Sequence, residues 1–224
     1  MAHPQLGLSN DELLSTTRAV RKRLDLERPV PMTVLRECLE LAVQAPTGSN
    51  AQGWQFVLVT EANKKARIGE WYAQAYSVYR ESPIAIHKLH ADSPDEALKA
   101  SQARSASSAD YLSEHMGQVP AMLIPCIEGR TDRPEINTSL MQSSLLGSII
   151  PAAWNFMLAA RARGLGTAWT TLHLMHEREV SELLGIPYET YMQVALIPIA
   201  YTKGTDFSPV YRPPIDSIVH VDSW

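Results

Sequence analysis

The chain has 224 residues, 45% of them hydrophobic, and a formal net charge of −4 at pH 7. That apolar content can fill one substantial core, so residues 1–224 are read as a single domain. The lack of a global basic field excludes nucleic acid and anionic membrane surfaces as main partners.

Residues 1–10 have neither a basic nor an apolar stretch, so no secretory leader is expected. The longest apolar runs, 121–127 and 194–201, fall far short of the ~20 residues of a membrane-spanning helix, and a soluble cytoplasmic protein is the expectation. Ser9 and Asn10 ahead of Asp11 and Glu12 predict a helix start with acids in its first turn. A basic stretch follows, with Arg18, Arg21, Lys22 and Arg23. Beyond Pro29 and Pro31, helical spacing of Leu35, Leu39, Ala42 and Val43, with Cys38 on the same face, predicts a second helix, ended by Ala45-Pro46. Residues 54–60 read as a buried strand and 61–81 as a helix of mixed polarity. The segment 82–118 reads as a variable, partly exposed helical cover, with Pro94 at the first position of a helix running to Met116. Residues 119–127 are predicted as a strand, 128–137 as a polar loop and 145–163 as the most apolar helix, stopped by Gly164. A third strand over 167–172, a short helix over 177–184 and a fourth strand over 192–201 follow. Pro198 is expected at a strand edge or bulge, because proline cannot donate to a ladder. The proline-rich tail ends in a strand-like run, 217–221, and is expected to reach across a partner subunit. The order predicts an α+β layer design around one sheet.

Few motifs carry chemistry alone. Gly164-Leu165-Gly166 closes a helix and opens a strand, the reverse of a dinucleotide fingerprint. His87 with His90, and His173 with His176, have helical spacing, but no carboxylate or thiolate in the same element completes a metal set; solvated or capping histidines are expected and no metal site. Cys38 and Cys126 lie in apolar runs and read as buried reduced thiols. No nucleophile elbow or P-loop is present. The Arg18–Arg23 cluster reads equally as a solvated face or as an anion clamp, since arginine matches phosphate oxygens with a planar fork of donors.

Taken together, several segments resemble the FMN-dependent nitroreductase family, in its order and across nearly the whole chain. They are Thr17-Arg18-Ala19-Val20-Arg21; Pro29-Val30-Pro31; Ala45-Pro46-Thr47-Gly48-Ser49-Asn50-Ala51-Gln52-Gly53-Trp54; 152–166; Leu184-Gly185-Ile186-Pro187; and Tyr211-Arg212-Pro213-Pro214. Thr17, Ala19 and Gly53 depart from the residues common at those places. The resemblance implies a mixed central sheet flanked by helices, in an intertwined homodimer with C-terminal tail exchange and FMN at the interface. It implies Arg18 and Arg212 at the FMN phosphate, with Ala19 beside them and Arg21 toward the ribityl chain and the pyrimidine edge. Pro46, Thr47 and Asn50 would come from the opposite subunit. Trp169, Thr170 and Thr171 would pass the flavin ring, with Thr171 or a nearby backbone N–H close to N5. The flavin itself would do the chemistry, without a catalytic side chain, taking electrons from NADPH or NADH and passing them to nitro compounds, quinones or similar electrophiles in a ping-pong cycle. Reductive dehalogenation or flavin destruction on the same fold, and flavin storage with little turnover, are the alternatives.

Overall fold

A computed structural model describes residues 3–134 and 138–224. The first helix, α1 (Asn10–Thr16), starts where its capping box requires: the Ser9 side chain accepts from Glu12 N, and Glu12 reaches back to Ser9 N at 2.8 Å. Helix α2 (Met32–Ala42) buries Val34, Leu35, Cys38 and Ala42. Strand β1 (Trp54–Val59) and helix α3 (Ala62–Glu81) match expectation. Helix α4 (Glu96–His115) begins one residue after Asp95, whose carboxylate accepts from Leu98 N at 3.0 Å. Asp95 is the cap, and Pro94 lies outside the helix rather than at its first position.

Strand β2 (Ala121–Glu128) leads into the expected polar loop, of which 135–137 lie outside the described residues. Helix α5 (Ser139–Ala162) starts six residues before the predicted Leu145, because Thr138 caps it by accepting from Met141 N at 3.2 Å. At 24 residues it is long and apolar enough to cross a membrane by length and composition. Here it packs on α2 and the sheet, with Ile149, Ala153, Phe156 and Ala160 fully buried. Strand β3 (Leu165–Thr167), helix α6 (Glu177–Leu184), β4 (Tyr191–Gln193) and β5 (Ile197–Tyr201) complete the chain.

The sheet runs β1-β2-β5-β3, with β4 also on β2, and every strand pair is antiparallel. The parallel component expected of a mixed sheet is confined to two single bridges, Ala19 with Thr167 and Gly129 with Tyr191. Helices cover the two faces, α2 and α5 over one core cluster, α3 and α4 over another. Cys38 and Cys126 are buried and unpaired, and burial pushes their thiols up to about 11 and about 12.

Pro198 is not on an edge: β5 lies between β2 and β3, and Pro198 opposes Met122. Its missing N–H falls where the β3 side of the ladder would continue. Gly166 pairs with Ala200 and Thr170 bridges Leu196 in one register, and the ladder is interrupted between them. The predicted strand 167–172 is therefore the short β3 plus a bridge at Thr170, followed by a 3-10 turn over Leu172–His176. The fourth strand is likewise split into β4 and β5. The strand-like run 217–221 is not a strand; the tail carries one 3-10 turn, Ile215–Ser217, and leaves Ile218, Val219 and Val221 exposed.

Candidate functional site

After Thr17 the chain lies along β3. Val20 N donates to Thr167 O at 2.8 Å, and Val20 and Leu24 lock the segment into the core. The approach needs a glycine: a Cβ at Gly166 would stand 2.9 Å from Val20 and 2.8 Å from Thr202. The glycine that fails as a dinucleotide motif thus holds the arginine segment against the sheet edge.

Arg18 is half-buried. Burial, then the like charges of Arg212, Arg23 and Arg104, hold its guanidinium below the ordinary arginine value. Arg23 is paired with the exposed Asp206 at 3.0 Å. Among the described residues, no carboxylate pairs with Arg18, Arg104 or Arg212 within the 4.0 Å of an ion pair. Arg161 adds to this. It is 4% exposed, donates to Thr16 Oγ1 at 3.2 Å, and leaves Nε and Nη1 without partners. Three guanidiniums converge on the Phe207 ring, with Arg23 at 4.1 Å, Arg161 at 4.9 Å and Arg18 at 6.0 Å from its centroid. Phe207 and the Arg23–Asp206 pair fasten the root of the tail here, which brings Arg212 close to Arg18.

Arg21 lies deeper. Burial lowers its pKa, partly offset by Tyr72, Tyr76 and Tyr79, and its Nη1 donates to Ser108 Oγ on α4 at 3.3 Å. Burial pushes the Tyr72 phenol up to about 12, opposed by Arg21 and by the neighbouring Thr170 hydroxyl. Tyr72 therefore links Arg21 to the segment 169–171. Thr170 spends its N–H and hydroxyl on Leu196 O, at 3.2 and 2.6 Å. Thr171 is exposed and its side chain makes no cap hydrogen bond. Trp169 packs half-buried against Ile149 and Val194.

Arg18, Ala19, Arg21, Trp169, Thr170, Thr171 and Arg212 are thus gathered along one sheet edge. Pro46, Thr47 and Asn50 stand elsewhere. Gly48 N donates to Ser148 Oγ at 3.2 Å in the first half of α5, whereas Arg161 marks its far end; the helix between them is about 20 Å long. Ser49, Asn50 and Gln52 all have φ between 50° and 53°, left-handed geometry that costs non-glycine residues on the order of 1 kcal/mol each. Gln52 holds the turn, its N–H donating to Thr47 Oγ1 at 3.1 Å and its amide to Asn50 Oδ1 at 3.0 Å. The loop borders a cavity of about 320 Å³ with Glu128, Ser144 and Ser148.

Arg104, Arg161 and Tyr72 escaped the sequence reading. Arg104 is the only arginine in the Ala- and Ser-rich α4, which was its one visible signal. The histidine expectation needs correction. His173 is fully buried, not solvated, and sits beside Gln193 short of hydrogen-bond geometry; burial, weakly opposed by Gln193, pushes it down to about 3.

The sequence model of the Nitroreductase family matches residues 14–201. The NADH dehydrogenase of Thermus thermophilus is 26% identical, covering 92% of this chain and 96% of its own. A Bacillus subtilis protein named as an NAD(P)H nitroreductase, YfhC, is 23% identical over 78% of this chain and 75% of its own. The FMN and NADPH-dependent nitroreductase NfnB from sphigopyxis sp. strain HMH superposes with a TM-score of 0.68 at 22% identity, over 97% of this chain and 100% of that one. Iodotyrosine deiodinase bound to FMN and 3-iodo-L-tyrosine superposes with a TM-score of 0.67 at 21% identity, over 96% and 99%. With more than half its length matched and the same fold throughout, the chain belongs to the nitroreductase family.

Proposed function

We propose that this chain is one unit of an FMN-dependent oxidoreductase that uses NADPH or NADH to reduce nitro compounds, quinones or similar electrophiles. The observation that carries the reading is the carboxylate-free set of Arg18, Arg104 and Arg212 at one end of the Arg21–Thr171 edge. Like charges gather at a cost, and a phosphate is the ligand that matches them. The residues fit the cofactor: Arg18 and Arg212 for the phosphate, Ala19 beside them, Arg21 for the pyrimidine edge and Thr171 as the free donor beside the ring.

Bound FMN supplies the redox chemistry, taking a hydride from the nicotinamide and passing electrons to the acceptor. The chain's part is placement and field. Arg21, sheltered by three tyrosines, holds a fixed positive charge where reduction adds negative charge. Trp169 walls the edge, and Thr170 is rigid because both its donors are bound.

A homodimer completes the site in this reading. Leu140, Ile150 and Trp154 on α5 are 73%, 41% and 39% exposed, and the tail leaves Ile218 and Val221 uncovered. A second copy on that face would bring its 46–50 loop toward the flavin and receive the tail. Light scattering should find a dimer; a flavin-loaded monomer at micromolar concentration would defeat the shared site. Denaturation should release FMN with no adenine, and NADPH or NADH should bleach the bound flavin anaerobically, with reoxidation by nitroarenes and quinones. An iodophenol belongs in the acceptor panel because a deiodinase shares the fold. FMN that never bleaches would favour storage, and FAD in its place would reject the reading.

A further inference from the structure

A second cavity, of about 420 Å³, lies between the segment 86–91 and α4. It is within the size range of small-molecule pockets. Its walls are mainly apolar, with Ile86, Leu89, Ala103 and Ala106. Lys99, Gln102, Ala103, Ala106 and Asp110 share one side of the helix by their spacing, while Arg104 and Ser108 sit on another, toward Arg18 and Arg21. Arg104 and Ser108 thus face the arginine cradle, while Ser107, which lines the cavity and accepts from Lys22 Nζ at 2.7 Å, marks where the two regions adjoin along α4.

The charges around the cavity are unbalanced once pairing is considered. Its one lining acid, Asp110, is already committed: it accepts from Tyr76 at 2.9 Å and is paired with His87 at 3.1 Å and with Arg80 at 3.3 Å. The basic groups are less committed. Lys99 pairs with Glu96 at 2.6 Å, but Glu96 is 81% exposed, and such a pair is worth too little to hold the lysine from a ligand. His87 gives Nε2 to Asp110, while its Nδ1 is buried with no hydrogen-bond partner. A buried ring nitrogen left this way calls for a ligand or a water. His90, also lining the cavity, has φ 64°, a strained backbone of the kind that clusters at binding sites.

We propose that this cavity is a second small-molecule site, separate from the cofactor cradle, for a compact apolar molecule bearing a carboxylate or similar anionic group. The body of the ligand lies on Ile86, Leu89 and Ala106. Its anion meets Lys99.

The probes are benzoate, benzamide and benzylamine, titrated calorimetrically into the full chain as isolated with whatever flavin it holds, so a failure of the flavin reading leaves this test standing. Benzoate should bind at least about tenfold more tightly than either analogue. Ala103→Phe, an exposed position on the cavity rim, should abolish benzoate binding, and Lys99→Gln should weaken it about tenfold, both with unchanged flavin content and circular dichroism. The proposal is overturned if benzoate does not bind at millimolar concentration, if benzylamine binds as well as benzoate, or if Ala103→Phe binds benzoate normally. Competition between FMN and benzoate would also overturn it, by moving the benzoate to the cradle.

Discussion

Two arginine clusters in this molecule differ in what surrounds them. Arg130 is 4% exposed and fully matched: it grips Asp132 at 2.9 and 2.8 Å, Glu177 at 3.2 and 2.7 Å and Tyr188 O at 2.9 Å, and stacks 3.9 Å from the Tyr188 ring. Burial alone would lower its pKa, but hydrogen bonds and attraction from Asp132 and Glu177 raise it above the ordinary value. Arg18 has the opposite surroundings, with arginines as neighbours and no acid, and its pKa is lowered. A protein balances a charge that serves the fold with its own acids. A charge left unbalanced marks a candidate ligand site, here the proposed phosphate cradle.

The largest effect should fall on the matched cluster. Arg130→Ala strands Glu177, whose side chain is 13% exposed, and should cost about 3–5 kcal/mol in urea unfolding. Arg18→Ala should cost far less in the flavin-free protein, because it removes a like-charge contact. If the two variants unfold alike, the contrast between structural and ligand-held arginines fails. The next effect concerns binding. Arg212→Ala should weaken FMN binding by roughly 1.5–3 kcal/mol, the loss of one charged hydrogen bond, as read by flavin fluorescence titration. Unchanged affinity would remove Arg212 from the cradle.

How far the sequence reveals these clusters depends on chain distance. Arg18, Ala19 and Arg21 stand together in one short motif, and the bridge from Ala19 to Thr167 sets them along the sheet edge, so the grouping of this half of the proposed cradle was legible. Arg130 was not, since it lies in a polar loop and takes its strongest acid from Glu177, 47 residues on. Arg104 was hidden in a helix whose composition suggests a plain cover. The α+β order was legible from periodicity. The break in β3 was not, because it is caused by Pro198 on the neighbouring strand, a contact that no local pattern contains.

His173 sharpens the matched side, because Gln193 beside it donates to Glu177 O at 2.9 Å and ties it to the Arg130 cluster. Its folded pKa of about 3 lies below its unfolded value. The neutral ring's contribution is therefore complete above about pH 6.5 and is lost as pH falls toward 3, at up to about 1.4 kcal/mol per pH unit. His173→Gln should flatten the fall in stability between about pH 6.5 and 5 by up to that slope. Equal slopes in urea unfolding for variant and wild type would mean that the ring is free to charge in the folded state.

The smallest effect is the most specific, because it separates two arginines three residues apart. Arg18 faces the unbalanced cluster, whereas Arg21 is walled by Tyr72, Tyr76 and Tyr79 and held by Ser108. If Arg18 serves the phosphate and Arg21 the ring, their variants fail differently. Arg18→Ala should lose FMN affinity, while the flavin that remains keeps its potential. Arg21→Ala should retain more FMN but lose about 1–2 kcal/mol from the reduced state, which lowers the two-electron potential by about 20–45 mV. Arg21→Lys should recover most of that shift, because a point charge suffices where no fork geometry is required. A spectroscopic redox titration of the three variants beside wild type decides the matter. An unchanged potential in Arg21→Ala, with weaker binding alone, would make Arg21 a phosphate or ribityl ligand and leave the ring edge without a fixed charge.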